Sequence, residues 1–208
     1  MKRRDLLLSL MVVPALAAGL PANAQSSRLS LSAISRYLND LQTATSDFTQ
    51  INPDGSLSTG RLMIHRPGRV RFEYDPPDQS LVLAAGGSVN IFDARSNLGP
   101  TVYPLNRTPL NLILAAQVDL TRARMVVDHF ADGPTTVVVA QDPDHPEYGN
   151  IRLVFSADPT ELRQWIVTDD TGRETTVILG ELNRGSRLAP TLFSVDIEME
   201  RRGLTLQR

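Results

Sequence analysis

The sequence predicts a mainly β protein with a few helical segments, in which one antiparallel meander of strands curls into a barrel or half-barrel. Three observations support this fold class. Apolar and polar residues alternate over short runs, and clusters of Gly, Pro, Asn and Asp separate these runs at near-regular intervals. Only short stretches have helical spacing, and no linker, low-complexity segment or internal repeat divides the chain.

The N-terminus has the pattern of an export signal. Basic residues at positions 2–4 precede an apolar run at 6–20, and Ala-Asn-Ala at 22–24 supplies the small residues that a signal peptidase requires. The apolar run is shorter than the roughly 20 residues of a membrane-spanning helix, which favours a cleaved signal over an anchor. The paired arginines also fit a twin-arginine signal, so both export routes stay open. We expect residues 1–24 to be removed.

The composition limits what the remaining chain can do. Removing 24 of the 208 residues leaves about 184, enough for a single domain over residues 25–208. Residues 2–5 carry a net +2, so the formal charge of −2 becomes about −4. A mildly acidic chain without basic runs is a poor match to nucleic acid. The absence of cysteine excludes disulfides, thiolate chemistry and the lipid anchor of a bacterial lipoprotein, so we expect no membrane attachment.

The first helix is predicted over residues 31–43, where apolar residues recur every three or four positions. The period then changes to two. Leu62 and Ile64 alternate with polar or flexible side chains, and Val70 and Phe72 alternate with charged ones. Further strands are predicted at 81–85, 89–93, 101–105, 125–130, 135–141, 151–155, 162–168, 175–179 and 193–199.

One segment interrupts the strands. Thr108 followed by Pro109 is a favourable helix start, with a capping hydroxyl and a proline at the first helical position. The following residues, 110–116, are apolar on nearly every side, so a helix here cannot have one face in water. We expect the segment 108–116 to be buried on most sides or to cover a cavity and touch what fills it.

Residues that could carry catalysis are few. The chain has no nucleophile elbow, no zinc-protease motif and no glycine-rich phosphate loop. The loop 142–147, which contains His145, could be an oxygen-rich metal site or a polar hairpin loop, and its two prolines favour the hairpin. We therefore predict neither an enzyme nor a bound metal or cofactor, and an exported hydrolase is the least favoured alternative.

Arg66 differs from the other charged residues. Period-two alternation places it on the same face as Leu62 and Ile64, immediately before Pro67 and Gly68. A guanidinium beside an apolar interior is costly unless its donors find acceptors. From the pattern alone, Arg66 either stays inside and bonds acceptors there, or bends outward into solvent at the end of the strand.

Several stretches together resemble the LolA type of periplasmic lipoprotein carriers of Gram-negative bacteria. In chain order they are residues 46–50, Gly60 and Leu62, the block Arg66–Tyr74, Pro76 or Pro77, residues 87–93, the helix start at 108–113, Leu162 with Trp165, residues 169–172, and Leu192 with Phe193. The block 66–74 and the helix start are the specific part. This sequence departs from the family where Val70 replaces a frequent aromatic and Phe72 a frequent tryptophan.

The resemblance implies a fold and a function. The fold is an incomplete, strongly curved antiparallel barrel whose helices cover or plug a cavity for the acyl chains of lipoproteins. Arg66 is implied to bond backbone carbonyls of the lid and shut the empty cavity. The residues expected to bind ligand are Leu62, Ile64, Arg66, Val70, Phe72, Leu83, Ile91, Leu110, Leu112, Ile113 and Leu114.

The resemblance also implies location and partners. We expect a periplasmic monomer that receives acylated outer-membrane lipoproteins from an inner-membrane releasing ABC transporter and passes them to an outer-membrane receptor. A related half-barrel that binds or senses another lipid, such as a glycolipid or phospholipid, stays open as the alternative.

Overall fold

The structure, a computed structural model, describes residues 28–108 and 110–204. The predicted signal peptide and Pro109 lie outside the described residues. Within those residues, no helix is both long and apolar enough to cross a membrane.

Strands make up most of the described chain. The helices are α1 (Leu31–Asp40), α2 (Leu110–Leu114) and α3 (Val195–Arg201), with 3-10 turns at Leu105–Arg107, Pro146–Tyr148 and Pro190–Phe193. The strands are β1 (Thr43–Ile51), β2 (Leu57–His65), β3 (Arg69–Tyr74), β4 (Leu81–Ala85), β5 (Ser88–Phe92), β6 (Thr101–Pro104), β7 (Val126–Asp132), β8 (Thr135–Gln141), β9 (Asn150–Ala157), β10 (Thr160–Thr168), β11 (Glu174–Leu179) and β12 (Asn183–Arg184).

All strands of the described chain belong to one antiparallel sheet with the order β6-β5-β4-β3-β2-β1-β11-β10-β9-β8-β7, and β12 pairs with β1. The edge strands β6 and β7 do not pair with each other, so the barrel is open. This arrangement confirms the predicted fold class. The segment that joins β6 to β7 contains α2, so the helix lies on the connection between the two free edges.

Alternation along the strands separates two apolar clusters. On β2 and β3, the side chains of Leu62, Ile64, Val70 and Phe72 join the larger cluster, together with α1 and α2. We call the sheet face that carries this cluster the inner face. Met63, from the alternate register, joins a smaller cluster on the outer face. Because one sheet surrounds the larger cluster, the inner face is the concave side of the open barrel.

Helix α1 forms where the apolar spacing predicts it. Ser30 caps its start, since the Ser30 side-chain oxygen accepts a hydrogen bond from the Ala33 amide at 3.1 Å. Its buried residues include Ile34 and Leu38, one turn apart, which face the inner cluster. The helix ends three residues before the predicted limit because Thr43 already pairs with β2.

The predicted strand at 193–199 is wrong. Those residues form the end of a 3-10 turn followed by α3. Ser194 caps the helix through a bond from the Ile197 amide, and acidic residues occupy the first turn. Val195 and Met199, four residues apart, pack in the outer cluster. The alternation of apolar residues in this segment looked like a strand, whereas the cap and the four-residue spacing favour the helix.

Candidate functional site

The space enclosed by the sheet is filled with apolar side chains from the sheet and from its helical cover. Four aromatic rings pack against one another among these side chains. The Phe48 ring lies edge-on to the rings of Phe72 and Tyr74, with centroids 5.6 and 5.1 Å apart, and Phe72 contacts Trp165 at 5.9 Å. We did not predict Phe48, Tyr74 or Trp165 as lining residues, although alternation along β1 and β3 could have indicated the first two.

The structure brings most of the predicted site residues together. Leu62, Ile64, Val70 and Phe72 are buried in the inner cluster with the α2 residues Leu112, Ile113 and Leu114, and Leu110 is partly buried against it. The sequence predicted that this helix is too apolar for a solvated surface. In the structure its side chains pack in the inner cluster of the open barrel. We call residues 108–116 the lid.

Two predicted lining residues lie elsewhere. Leu83 is buried in the outer cluster, and its neighbours Val82 and Ala84 face inward instead. Strand β4 is apolar throughout because both of its faces are covered, so alternation could not identify the inner residues. Ile91 is 37 % exposed. It pairs with Thr101 of the short edge strand β6, beyond which the sheet ends.

Arg66 is buried, with only 4 % of its surface exposed, so the solvated alternative is wrong. Its backbone amide bonds the Gln42 carbonyl at 2.8 Å. Its Nη2 donates to the Ala115 carbonyl at 2.5 Å, the contact with the lid backbone that the family resemblance implies. Burial away from water lowers the pKa of Arg66 from its ordinary value.

A second bond joins the lid to the same turn of the sheet. The Gly68 amide donates to the Leu114 carbonyl at 2.8 Å. Gly68 has a φ of +72°, a conformation that favours glycine, so the turn presents this amide without backbone strain. Together, the bonds from Arg66 and Gly68 form what we call the latch.

Helix α1 bonds both the barrel and the chain beyond the lid. The Tyr37 hydroxyl oxygen accepts from the Leu162 amide at 3.1 Å. Asn39 bonds both the amide and the carbonyl of Val118, each at 2.9 Å, which ties the chain beyond the lid to α1. The lid itself bonds the sheet through the two latch contacts, from Arg66 and from Gly68.

A cavity of about 180 Å³ remains beside the lid. Apolar side chains from the lid and from β8–β10 line much of it, among them Leu112, Ala140, Ile151 and Val167. Arg107 and Asp142 also border it. This volume is below the roughly 300–1,000 Å³ of typical ligand sites.

The polar loops around His145 and Asp169 are held by contacts among their own residues. The His145 ring stacks on Tyr148 with centroids 4.7 Å apart, and its Nδ1 lies 3.1 Å from Glu147. Asp169 accepts bonds from Thr171 and Arg173, which lower its pKa to about 2 and shape a turn. In residues 28–108 and 110–204, no group of three or more His, Cys, Asp or Glu side chains could hold a metal ion.

The sequence matches known proteins over most of its length. The family described as "Outer membrane lipoprotein carrier protein LolA" matches residues 39–196. The chain is 25 % identical over 169 residues to an outer-membrane lipoprotein carrier protein of Coxiella burnetii, covering 77 % of this chain and 79 % of that one. It is 26 % identical over 195 residues to that of Chromobacterium violaceum, covering 90 % and 92 %.

Solved structures show a more distant likeness. A LolA superfamily protein from Nitrosomonas europaea aligns with a TM-score of 0.44 and 9 % identity, covering 81 % of this chain and 99 % of that one. The family match spans most of the described sheet, including the lid and the latch. This chain belongs to the LolA family of outer membrane lipoprotein carrier proteins.

Proposed function

We propose that this protein is a periplasmic carrier that takes the acyl chains of lipoproteins into the space under the lid. The observation that carries the proposal is the latch. An apolar helix is inserted into an open apolar barrel, and the buried Arg66 holds it by donating to the Ala115 carbonyl. Family membership and the carrier names of its relatives support the same function.

Loading requires the lid to move. A cavity of about 180 Å³ cannot contain several long acyl chains, whereas displacing the lid would also free the space that Leu112, Ile113 and Leu114 occupy in the inner cluster. Each of these side chains would lose about 1.5–3 kcal/mol if it moved into water. Acyl chains that replace them restore the apolar contacts, so cargo and lid compete for one surface.

The energetics explain why a latch is useful. A 16-carbon acyl chain gains on the order of 12 kcal/mol on leaving water, at about 0.8 kcal/mol per CH₂. A site that recovered all of this would not release its cargo. A lid that must be displaced lowers the net affinity by the free energy of opening, and reclosing favours release.

The partners follow from this cycle. The chain has no nucleotide-binding motif, so the energy for loading comes from another protein. We propose an inner-membrane releasing transporter as the donor of cargo and an outer-membrane receptor as its acceptor, with this protein crossing the periplasm between them.

A two-step assay tests the function: release of lipoprotein from inner-membrane vesicles, then transfer to immobilised receptor. We expect Arg66→Leu to load at least as well as wild type and to transfer at least tenfold less, because the closed empty state loses a charge-assisted bond of about 1.5–3 kcal/mol. Arg95→Leu is the matched control, since Arg95 is exposed between β5 and β6 and does not line the cavity. It should load and transfer normally.

Two results would count against the carrier. If the wild-type protein releases no lipoprotein from the vesicles, the function fails. If Arg66→Leu transfers cargo normally, the latch has no part in release. Native mass spectrometry of protein purified from the periplasm separates the alternative, because a bound glycolipid or phospholipid in place of lipoprotein would indicate another lipid cargo.

A further inference from the structure

The Arg66 guanidinium is incompletely bonded. Among the described residues, the only acceptor for its side chain is the Ala115 carbonyl, which bonds Nη2. The Nε and Nη1 atoms are buried and have no hydrogen-bond partner among the described residues. A guanidinium offers five N–H donors, and leaving buried donors unbonded is costly. Within the described chain, Arg66 also lacks an ion pair with any carboxylate, in contrast to the equally buried Arg71.

The position of these donors decides what they could bind. Arg66 follows Leu62 and Ile64 on the inner face, and its one acceptor belongs to the lid. When the lid leaves, the Ala115 carbonyl leaves with it, and all the side-chain donors face the opened apolar space. A ligand for them must carry oxygen acceptors and must be attached to long apolar chains.

We propose that Arg66 recognises the carbonyl oxygens of the ester or amide groups that join acyl chains to the head of the cargo. This inference rests on the proposed carrier function and deepens it. The planar fork can donate to two neighbouring carbonyls, which suits a ligand with several acyl chains converging at one head. In the loaded state these carbonyls replace the Ala115 carbonyl as acceptors of Arg66, so Arg66 determines specificity for acyl over alkyl lipids.

A matched pair of neutral ligands tests this. We would compare 1-hexadecanoylglycerol, which has an ester carbonyl, with 1-hexadecylglycerol, its ether analogue, as competitors of a fluorescent fatty acyl probe below their aggregation concentrations. Both lack charge, so attraction between Arg66 and a carboxylate does not contribute. For the wild-type protein we expect the ester to bind about tenfold more tightly, which corresponds to about 1.4 kcal/mol.

Variants assign the preference to the arginine. In Arg66→Leu the preference should fall to within about twofold, whatever the absolute affinity, because no donor distinguishes the ligands. Arg66→Lys keeps the charge without the fork and should retain part of the preference. Arg95→Leu, at an exposed position that does not line the cavity, should retain all of it. Circular dichroism checks folding, and Arg66→Lys carries the test if Arg66→Leu does not fold, since an undiminished preference in Arg66→Lys would then overturn the role of the guanidinium.

The outcomes separate this inference from the function. Equal binding of ester and ether by the wild-type protein, or an ester preference that persists in Arg66→Leu, overturns the role of Arg66 and leaves the carrier intact. If neither lipid nor the acyl probe binds, the carrier function fails and this inference fails with it.

Discussion

Two buried arginines on opposite faces of the sheet bond the segments that cover those faces in different ways. The lid covers the inner face, and α3 covers part of the outer face. Arg66 and Arg71 are both only 4 % exposed. Arg71 lies on the outer face under α3, where it bonds Glu73 at 2.6 Å, Glu198 at 3.1 Å and the Leu192 carbonyl at 3.1 Å. Arg66 lies on the inner face under the lid and has one side-chain acceptor.

The two covering segments also differ in how many charged groups hold them. Glu198 also receives bonds from Arg201 and Arg202, so α3 is held by a buried network of charges. Removing one member of such a network leaves other charges buried without partners, which makes the closed arrangement hard to open. The lid lacks such a network in the described structure. The outer cover, α3, is therefore held by more charged side-chain bonds than the lid, as the proposed opening of the lid requires.

The largest expected effect contrasts the two arginines in stability. Arg71→Leu should lower the free energy of unfolding by about 3 kcal/mol, because it breaks a buried charge network. Arg66→Leu should lower it by less, about 1–2 kcal/mol, since the lost bond is partly offset by removing an incompletely bonded buried charge. Urea unfolding at pH 7 measures both. Equal losses would mean that the latch is structural and would remove the distinction between the covers.

The second effect concerns Glu198. Burial would raise the pKa of Glu198, but the bond from Arg202 and the charge of Arg71 outweigh burial and lower it. A lowered pKa in the folded state means that the carboxylate stabilises the protein above its unfolded pKa, near 4.3, and that this stabilisation is lost as the pH falls through the folded value. Glu198→Gln should therefore cost about 2 kcal/mol at pH 7 and less at acidic pH.

Urea unfolding across pH 3–7 measures this, with Glu200→Gln as the control on the same helix because Glu200 is exposed. The difference in stability between wild type and Glu198→Gln should shrink on acidification, while Glu200→Gln should follow wild type. A difference that stays constant with pH would show that the carboxylate charge does not hold α3.

The smallest effect sharpens the lid side of the comparison. Ile113→Asp places a carboxylate in the inner cluster, so the lid should no longer seat and capture of acylated cargo should weaken about tenfold. The strands should remain folded by circular dichroism. Ala116→Asp adds the same charge at an exposed lid position and should leave capture unchanged. Wild-type capture by Ile113→Asp in a pull-down would exclude a direct role for this side chain.

Local periodicity predicted the elements that later proved central. Alternation placed Arg66 with Leu62 and Ile64 inside the barrel, and the apolar composition of 110–116 predicted a helix that must be covered. These predictions succeeded because a strand or helix determines, within a few residues, which side chains share a face. The same rule failed on β4, where both faces are buried and Leu83 proved to be outside.

The sequence by itself thus predicted an antiparallel meander, an apolar helix that must be covered, and Arg66 on the face of Leu62 and Ile64, but it left open whether Arg66 stays inside. Only the tertiary structure decided what each buried arginine bonds: the Ala115 carbonyl lies 49 residues from Arg66, and Glu198 lies 127 residues from Arg71. The physical reason is that periodicity depends on neighbours along the chain, whereas hydrogen-bond satisfaction depends on groups that only the folded sheet brings within about 3 Å.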